Sequence, residues 1–450
     1  MSKPWMNTIV VLVLLVSFVL VTNKLTKLNE HDLHEVRNWE DVKSWQYEQT
    51  PGLLRAEELG LAKNYDITIP IEGTSKTFEL NEIWYNKNTV YIFYSVDYEK
   101  NHIPTINFHF GTEVVDSRNY VNRPYSGNVS PDEGVVYKGR YYHRVQVNPI
   151  YNEEQEFVEE VEQAFLKEFT VRIDEKTYEL EPITVQLDYQ LSNEEEVEFA
   201  LDKEQVVKGH TITWKSMFIG TSHNALGFSF EPLSSYVLSG VQARVETDHG
   251  EERTIYTMNS LGDKHYSLSF DPFNVYPTAI TIKTENIHLT DDQRFSFEFN
   301  VEDFTIETTD KKVHTLLETI QETDIFLERL FYDDRGVMFE LLLKPTPTND
   351  GNQYLVATTP TVYGEYEHRL GEAKTPKEEE RLKAIPYIMH VTNEKGEIAS
   401  YGSRGSGPEE RMGLFLDRAF IEKSKTIRVE VSHLLHEIKV HENVEFEIGK

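Results

Sequence analysis

The residues that come nearest to a chemical signature are His433-Leu-Leu-His436-Glu437. A zinc protease of the H-E-x-x-H kind needs two imidazoles one helical turn apart, with a glutamate beside the first as base. Here the order is different and the neighbouring residues alternate like a strand, so residues three apart face opposite sides. The segment therefore reads as a surface or sheet edge. His31-Asp-Leu-His34 has no third ligand nearby and reads as solvent-exposed. Carboxylates crowd residues 153–162, 194–196, 291–292, 333–334 and 378–380. A glycosidase needs two of them at a fixed separation across a sugar, a relation that spacing along strands does not supply. No D-x-[DN]-x-[DN]-G calcium loop is present. These readings assign no catalytic residue, no metal and no cofactor.

Two segments suit binding rather than catalysis. Gly402-Ser-Arg-Gly-Ser-Gly407 reads as a flexible loop carrying Arg404, a side chain able to hold an anionic group, but it matches neither G-x-x-x-x-G-K-[ST] nor G-x-S-x-G. Residues 119–144 concentrate Tyr120, Arg123, Tyr125, Tyr141, Tyr142, His143 and Arg144. Tyrosine and arginine are favoured in recognition surfaces, so Tyr125, Tyr141, Tyr142, Arg144 and Arg404 are the candidate partner-binding residues. The bland alternative is a set of ordinary strand aromatics beside a loop.

Composition narrows the field. The chain has 450 residues, 45 Lys and Arg against 76 Asp and Glu, a net charge of -31 and no cysteine. Lack of cysteine removes disulfides, thiolate metal sites and thiol nucleophiles. The acidic balance argues against nucleic acid, whose binding rests on Lys and Arg releasing counterions. Residues 8–22, TIVVLVLLVSFVLVT, are apolar and without charge, and with Trp5 and Met6 reach the ~18 residues a membrane span needs. The flank Asn23-Lys-Leu-Thr-Lys27 lacks the small residues of a signal-peptidase site, so the span is expected to stay as an anchor. Lys3 on one side and Lys24 and Lys27 on the other leave orientation undecided by charge. Residues 1–7 are expected inside and the strand-rich remainder outside, as in exported Gram-positive proteins.

The elements that must position any site follow. Residues 23–63 read as a helical stalk or linker, or as a segment packed on the first domain, with Leu33, Val36, Trp39, Val42 and Trp45 about three apart and Pro51-Gly52 as the stop. Beyond Tyr65, short alternating runs of Val, Ile, Phe and Tyr between Gly, Asn and Asp turns predict antiparallel strands. A hairpin recurs at residues 78–94, 212–228 and 325–341. The second and third copies also match in their endings: Ile280-Ile282, Ile287-Leu289 and Phe295-Phe297-Phe299 against Ile427-Val429-Val431, Ile438-Val440 and Val444-Phe446-Ile448. The first copy carries a predicted helix, capped by Asn152, with Phe157, Val161, Phe165 and Phe169 at three- to four-residue spacing. The expectation is a mainly β protein: a transmembrane helix, a stalk, and three tandem β-sandwich domains of the immunoglobulin type at 64–192, 195–303 and 314–450.

The stretch GLLRAEELGLAKNYDITIPI, the hairpin LNEIWYNKNTVYIFYSV and the strand ladder after it resemble the Bacillota extracytoplasmic domains of unknown function found behind the membrane span of anti-sigma factors. The resemblance implies no catalytic residue. It departs from that pattern because only Met1 to Asn7 precede the span, too few to fold a sigma-binding domain. The expected function is therefore non-catalytic: binding or sensing an envelope component, whether an envelope protein or a cell-wall polymer, from the outer face of the cell membrane. Two rivals are an envelope hydrolase or metal-dependent enzyme, and a wall-carbohydrate-binding module.

Overall fold

The computed structural model describes residues 33–448 except 101, 113–132, 153–155, 234, 256, 263, 302–309, 348–350, 352, 361, 374–378, 380–387, 400 and 408–409. The apolar run at 8–22 lies outside the described residues, and among the described ones no helix is long and apolar enough to cross a membrane. The protein is mainly β. Contacts divide it into two compact units, one of Met1–Val197 with Phe218–Asn224 and Asp271–Tyr276, the other of the remainder.

The strands of unit 1 are β1 (His34–Glu35), β2 (Ala62–Pro70), β3 (Thr77–Tyr85), β4 (Val90–Asp97), β5 (Thr105–Gly111), β6 (Val135–Tyr137), β7 (Arg140–Val147), β8 (Glu160–Ile173), β9 (Lys176–Glu179) and β10 (Ile183–Gln190). One sheet runs β1-β6-β7-β4-β3-β2; the other runs β10-β8-β5, with β9 on β8. Phe78, Leu80 and Ile92 from the first sheet meet Phe108, Phe169 and Val171 from the second in one core. The outer face of the first sheet is also apolar, since Trp84 and Phe93 point that way. Two helices cover it.

Helix α1 (Trp39–Gln49) starts at Asn38, whose side chain accepts from the Asp41 N–H, and it ends just before Pro51, which cannot continue it. Val42 and Trp45 bury against Val135 and Tyr142, and the Trp45 indole donates to the Glu133 carbonyl at 2.9 Å. Lys43 pins the helix to the sheet through the buried Glu82 at 2.9 Å and also pairs with Glu57 at 2.7 Å. Helix α2 (Leu53–Glu58) places Leu53 and Ala56 on Trp84 and Phe93. It follows Gly52, whose φ of +84° and Pro272 Cγ at 2.6 Å from an added Cβ admit no side chain. Residues 39–58 therefore lie on their own domain, which is the packed alternative to a free stalk.

From Glu160 the helix expected after Asn152 is a strand, and a bulge is part of the physical reason. Glu168 has positive φ, and where the ladder slips between Asn107 and His109, β8 takes three residues against two of β5, which adds one residue to a period of two. The slip between Gln186 and Tyr189 places its extra residue in β10. Buried positions in β8 fall at Val161, Ala164, Leu166, Phe169, Val171 and Ile173, where the three-residue gaps imitate a helix.

The strands centred on unit 2 are β11 (Glu196–Val207), β12 (His210–Gly220), β13 (Asn224–Glu231), β14 (Val237–Thr247), β15 (Glu252–Ile255), β16 (Thr257–Gly262), β17 (His265–Phe270), β18 (Ala279–Thr290) and β19 (Arg294–Asn300), all from the second repeat. The third repeat supplies β20 (Asp310–Ile320), β21 (Thr323–Asp333), β22 (Gly336–Pro345), β23 (Gln353–Val356), β24 (Met389–Asn393), β25 (Tyr401–Gly407), β26 (Arg411–Asp417), β27 (Thr426–Ser432), β28 (Leu435–Lys439) and β29 (Asn443–Glu447). Two short helices, α3 (Tyr363–Glu372) and α4 (Arg418–Ile421), interrupt it.

The two repeats do not keep separate sheets. One sheet is β15-β14-β18-β28-β23 with β29 on β18, and another is β19-β27-β24. The matched endings pair with one another: Ile280 and Ile282 oppose Phe446 and Val444, Ile287 and Leu289 oppose Ile438 and His436, and Phe295, Phe297 and Phe299 oppose Val431, Val429 and Ile427. The first segment of one repeat meets the last of the other, and the middle segments meet each other. That is the pairing a two-fold axis imposes on two like modules. The stretch between 303 and 314 is thus a boundary in sequence but not between sheets. Phe297 and Phe299 of the second repeat share a core with Phe339 of the third.

If each repeat closed its own sheets, the second would not notice loss of β29. Deleting residues 443–450 is expected to raise amide exchange across residues 280–283 of β18 by at least tenfold, measured by hydrogen exchange; unchanged protection there would refute the exchanged pairing.

Candidate functional site

Of the residues that the sequence singles out for binding, the three whose side chains the structure describes are buried. Tyr141, Tyr142 and Arg144 lie on β7 at 0%, 8% and 5% exposure. For Tyr142 the reason is α1, which covers the outer face of the sheet: Trp39 meets Tyr142 edge-on at 5.6 Å and Trp45 lies 6.3 Å from His143; Tyr141 points to the other face of β7, beside Val96 of the inner core. The Arg144 guanidinium sits 5.4 Å from the Tyr91 ring, and burial lowers its pKa. Tyr120, Arg123 and Tyr125 lie outside the described residues. Arg404 is not in a loop: its backbone belongs to β25, opposite Leu414 of β26, so the glycines around it serve an edge strand.

The histidine motif is split by the sheet. His433 occupies a left-handed turn at φ +52° between β27 and β28. His436 and Glu437 then point to opposite faces of β28. Glu437 lies in a row of three across neighbouring strands, facing His288 on β18 and Tyr354 on β23. It accepts from the Tyr354 hydroxyl at 2.6 Å and lies 3.1 Å from His288 Nε2. The hydrogen bond from His288 is the largest cause of its pKa falling below the usual carboxylate range. His436 is wholly buried. Its Nε2 stands 3.4 Å from Asp291 Oδ2, off the line of a hydrogen bond, and among the described residues neither ring nitrogen has a hydrogen-bond partner. Burial depresses its pKa, so it is a neutral ring at pH 7. Among the described residues no three His, Asp or Glu side chains gather as a metal site would require.

What His436 supports is Tyr236, whose ring meets it edge-on at 5.5 Å. Tyr236 forms one wall of an open cleft of about 480 Å³ within unit 2, lined also by Lys208, His210, Leu233, Gln321, Glu322 and Gln353. Two turns build it. Lys208-Gly209 joins β11 to β12, and Gln321-Glu322 joins β20 to β21; all four residues have positive φ, at 49°, 86°, 44° and 54°. Two-residue hairpin turns with both residues left-handed match the twist of the strands, and they ordinarily take Asn-Gly. A non-glycine residue there costs about 1–2 kcal/mol, so Gln321-Glu322 is a strained choice, and strain of this kind gathers where side chains are used.

The side chains are fixed by their own bonds. Gln353 Nε2 donates to Gln321 Oε1 at 2.6 Å, and Gln321 Nε2 donates to the Tyr236 hydroxyl. The phenol oxygen being the acceptor, its own proton remains to be given. His210 Nδ1 accepts from the Leu233 N–H at 3.1 Å, which places the proton of the neutral ring on Nε2. Its ring stacks on Phe230 at 5.8 Å and meets Tyr236 edge-on at 5.4 Å, and burial lowers its pKa. The matched position in the third repeat behaves alike: Thr323 Oγ1 accepts from the Leu355 N–H at 3.1 Å. A second open cleft of about 490 Å³, lined by Ser239, Gln242, Met258 and His288, adjoins the Glu437 row.

No family model matches the chain, and no curated protein does. Among solved structures it is similar at 11% identity and a TM-score of 0.26 to a conserved domain protein from Bacillus anthracis, over 53% of this chain and 82% of that one. A tetra-tandem repeat in the extending region of a large adhesion protein gives 11% identity and a TM-score of 0.15 over 81% of this chain and 71% of that one.

The cleft residues carry no motif, and individual inspection passes over them. Their signal is the repeat itself. Aligning Ile212 with Ile325 sets Lys208 on Gln321 and His210 on Thr323, which marks the two turns as equivalent.

Two measurements test this account. Glu322→Gly is expected to raise stability by roughly 0.5–1 kcal/mol after glycine's larger chain entropy is counted, read from the denaturant midpoint; no gain means the turn is unstrained. His436, His210 and His223 have folded pKa values below their ordinary 6.5. The unfolded chain therefore binds their protons more readily, and stability present above about pH 6.5 is lost as pH falls below it. Exchange protection of β28 is expected to drop between pH 7 and 5, after correction for intrinsic rates, and to drop less in His436→Leu. An equal drop in that variant would show that His436 takes no part.

Proposed function

We propose that the chain is a membrane-anchored, extracytoplasmic and non-catalytic protein that binds or senses an envelope component through tandem immunoglobulin-like β-sandwiches, with residues 8–22 as its anchor. The observation that carries the reading is the cleft of unit 2, where Gln353, Gln321 and Tyr236 hold one another in a hydrogen-bonded chain. Side chains ordered before a ligand arrives lose less entropy when it binds. Apolar residues 8–22 support the anchor, and the absence of cysteine suits an exported chain. The net charge of -31 keeps such a protein soluble and away from polyanions.

The rival reading as a hydrolase would call on Glu437 as base or acid. That carboxylate already accepts from Tyr354 and lies against His288, and its pKa is lowered, which suits an ion that orders three strands rather than a group that trades protons at pH 7. The partner is an envelope protein or a wall polymer, not nucleic acid.

In a Gram-positive host the full chain is expected to sediment with membranes and to be cut by protease added to intact cells, while a variant lacking residues 8–22 is soluble. Cross-linking in those cells is expected to capture an envelope component. A full-length chain that stays soluble, or one that resists external protease until cells are lysed, overturns the placement.

A further inference from the structure

We infer that the cleft between the Lys208-Gly209 and Gln321-Glu322 turns is a binding site for a neutral saccharide; the inference deepens the proposed binding function and rests on it for the ligand's source alone. The groups that line the cleft settle the chemistry. Tyr236 has a hydroxyl proton to give once its oxygen has accepted from Gln321. His210 carries its proton on Nε2 because Nδ1 accepts from Leu233. The amides of Gln321 and Gln353 offer both donors and acceptors. These are uncharged groups of mixed sense, which is what a ligand covered in hydroxyls requires, since each hydroxyl both gives and accepts.

Charge points the same way. Lys208 and Glu322, the two ionic residues of the lining, are opposite in sign and sit on equivalent turns, so the lining itself carries no net charge. The whole chain at -31 repels a phosphate-rich wall polymer. The apolar part is supplied by Leu233, 58% exposed, and by the Tyr236 ring, surfaces against which the C–H faces of a sugar can lie. A volume of about 480 Å³ falls in the range of ligand clefts. Strain is spent where it serves: Gln321 and Glu322 are held left-handed, and Gln321 is the residue that bonds to both Tyr236 and Gln353.

The test is calorimetric titration of the purified full chain with chitotetraose, a neutral oligosaccharide, beside a polyglycerol phosphate and an uncharged peptide of similar length. Saturable binding of chitotetraose is expected, with the other two at least tenfold weaker. Tyr236→Phe keeps the ring and removes only the hydroxyl, and Gln321→Ala removes the hub; each is expected to weaken binding roughly 5- to 10-fold, the effect of one lost neutral hydrogen bond. Unfolding midpoints measured in parallel show whether either variant has lost its fold; Tyr236→Phe decides the matter if Gln321→Ala has. Preference for the phosphate polymer or the peptide, or equal saccharide binding by wild type and Tyr236→Phe, overturns the inference. Saccharide binding by a chain that proves not to face the envelope would leave this site standing and remove the envelope reading. Capture of an envelope protein without saccharide binding would do the reverse.

Discussion

The antiparallel pairing of the two repeats' terminal ladders is the constraint on which unit 2 depends. Ile287 against Ile438 and Leu289 against His436 lie where the two middle segments meet, and the outer segments cross to either side. Each ladder is apolar on one face, because every second residue is Ile, Val, Leu or Phe. A ladder that closed only on its own repeat would leave an edge of unpaired N–H and C=O groups. Pairing with its equivalent removes that edge and joins the apolar faces into a core containing Phe297, Phe299 and Phe339. The cleft is a consequence of the same arrangement, because equivalent turns of the two modules come to line one hollow.

A comparable constraint works in unit 1 at smaller scale. The first sheet has apolar residues on both faces, which an antiparallel sheet with one wet side does not tolerate. Val42, Trp45, Leu53 and Ala56 supply the missing cover. Lys43 then stands between Glu57 and Glu82. Burial raises the pKa of Glu82 against the effect of that lysine, so the ion pair specifies where the helix lies more than it adds to stability.

The strand content, the three hairpins and the matched endings were legible in sequence because a period of two survives wherever one face is buried and the other wet. Helix α1 was legible from the spacing of Trp39, Val42 and Trp45 and its stop at Pro51-Gly52, whereas His34–Glu35, read into the same helix, is a strand paired with β6. What the helix would lie on was not, since the outward Trp84 and Phe93 read as ordinary strand aromatics. The segment after Asn152 misled for a definite reason: a bulge at Glu168, held at positive φ, inserted an odd step into an even period. Glycines at 402–407 read as a loop, yet a small residue is equally at home on an edge strand. The exchange of strands left no trace in either repeat alone, because pairing partners are chosen by edges and faces that only the whole set of strands defines.

The cleft illustrates the kind of information that local reading omits. Tyr, Gln and His are unremarkable one at a time, and 24 tyrosines offer no means of choosing among them. Selection comes from relation. Gln321 matters because it follows Ile320 at a turn whose partner turn holds Lys208-Gly209, and because glycine appears in one turn and not in the other. A turn free to evolve for stability alone would hold Asn-Gly at both places. Keeping Gln-Glu at one of them, with the Gln321 side chain bonded to Tyr236 of the opposite module, sacrifices about 1–2 kcal/mol at each left-handed position. The two turns are equivalent in place, and one can depart from the other without disturbing the ladders that hold the modules together.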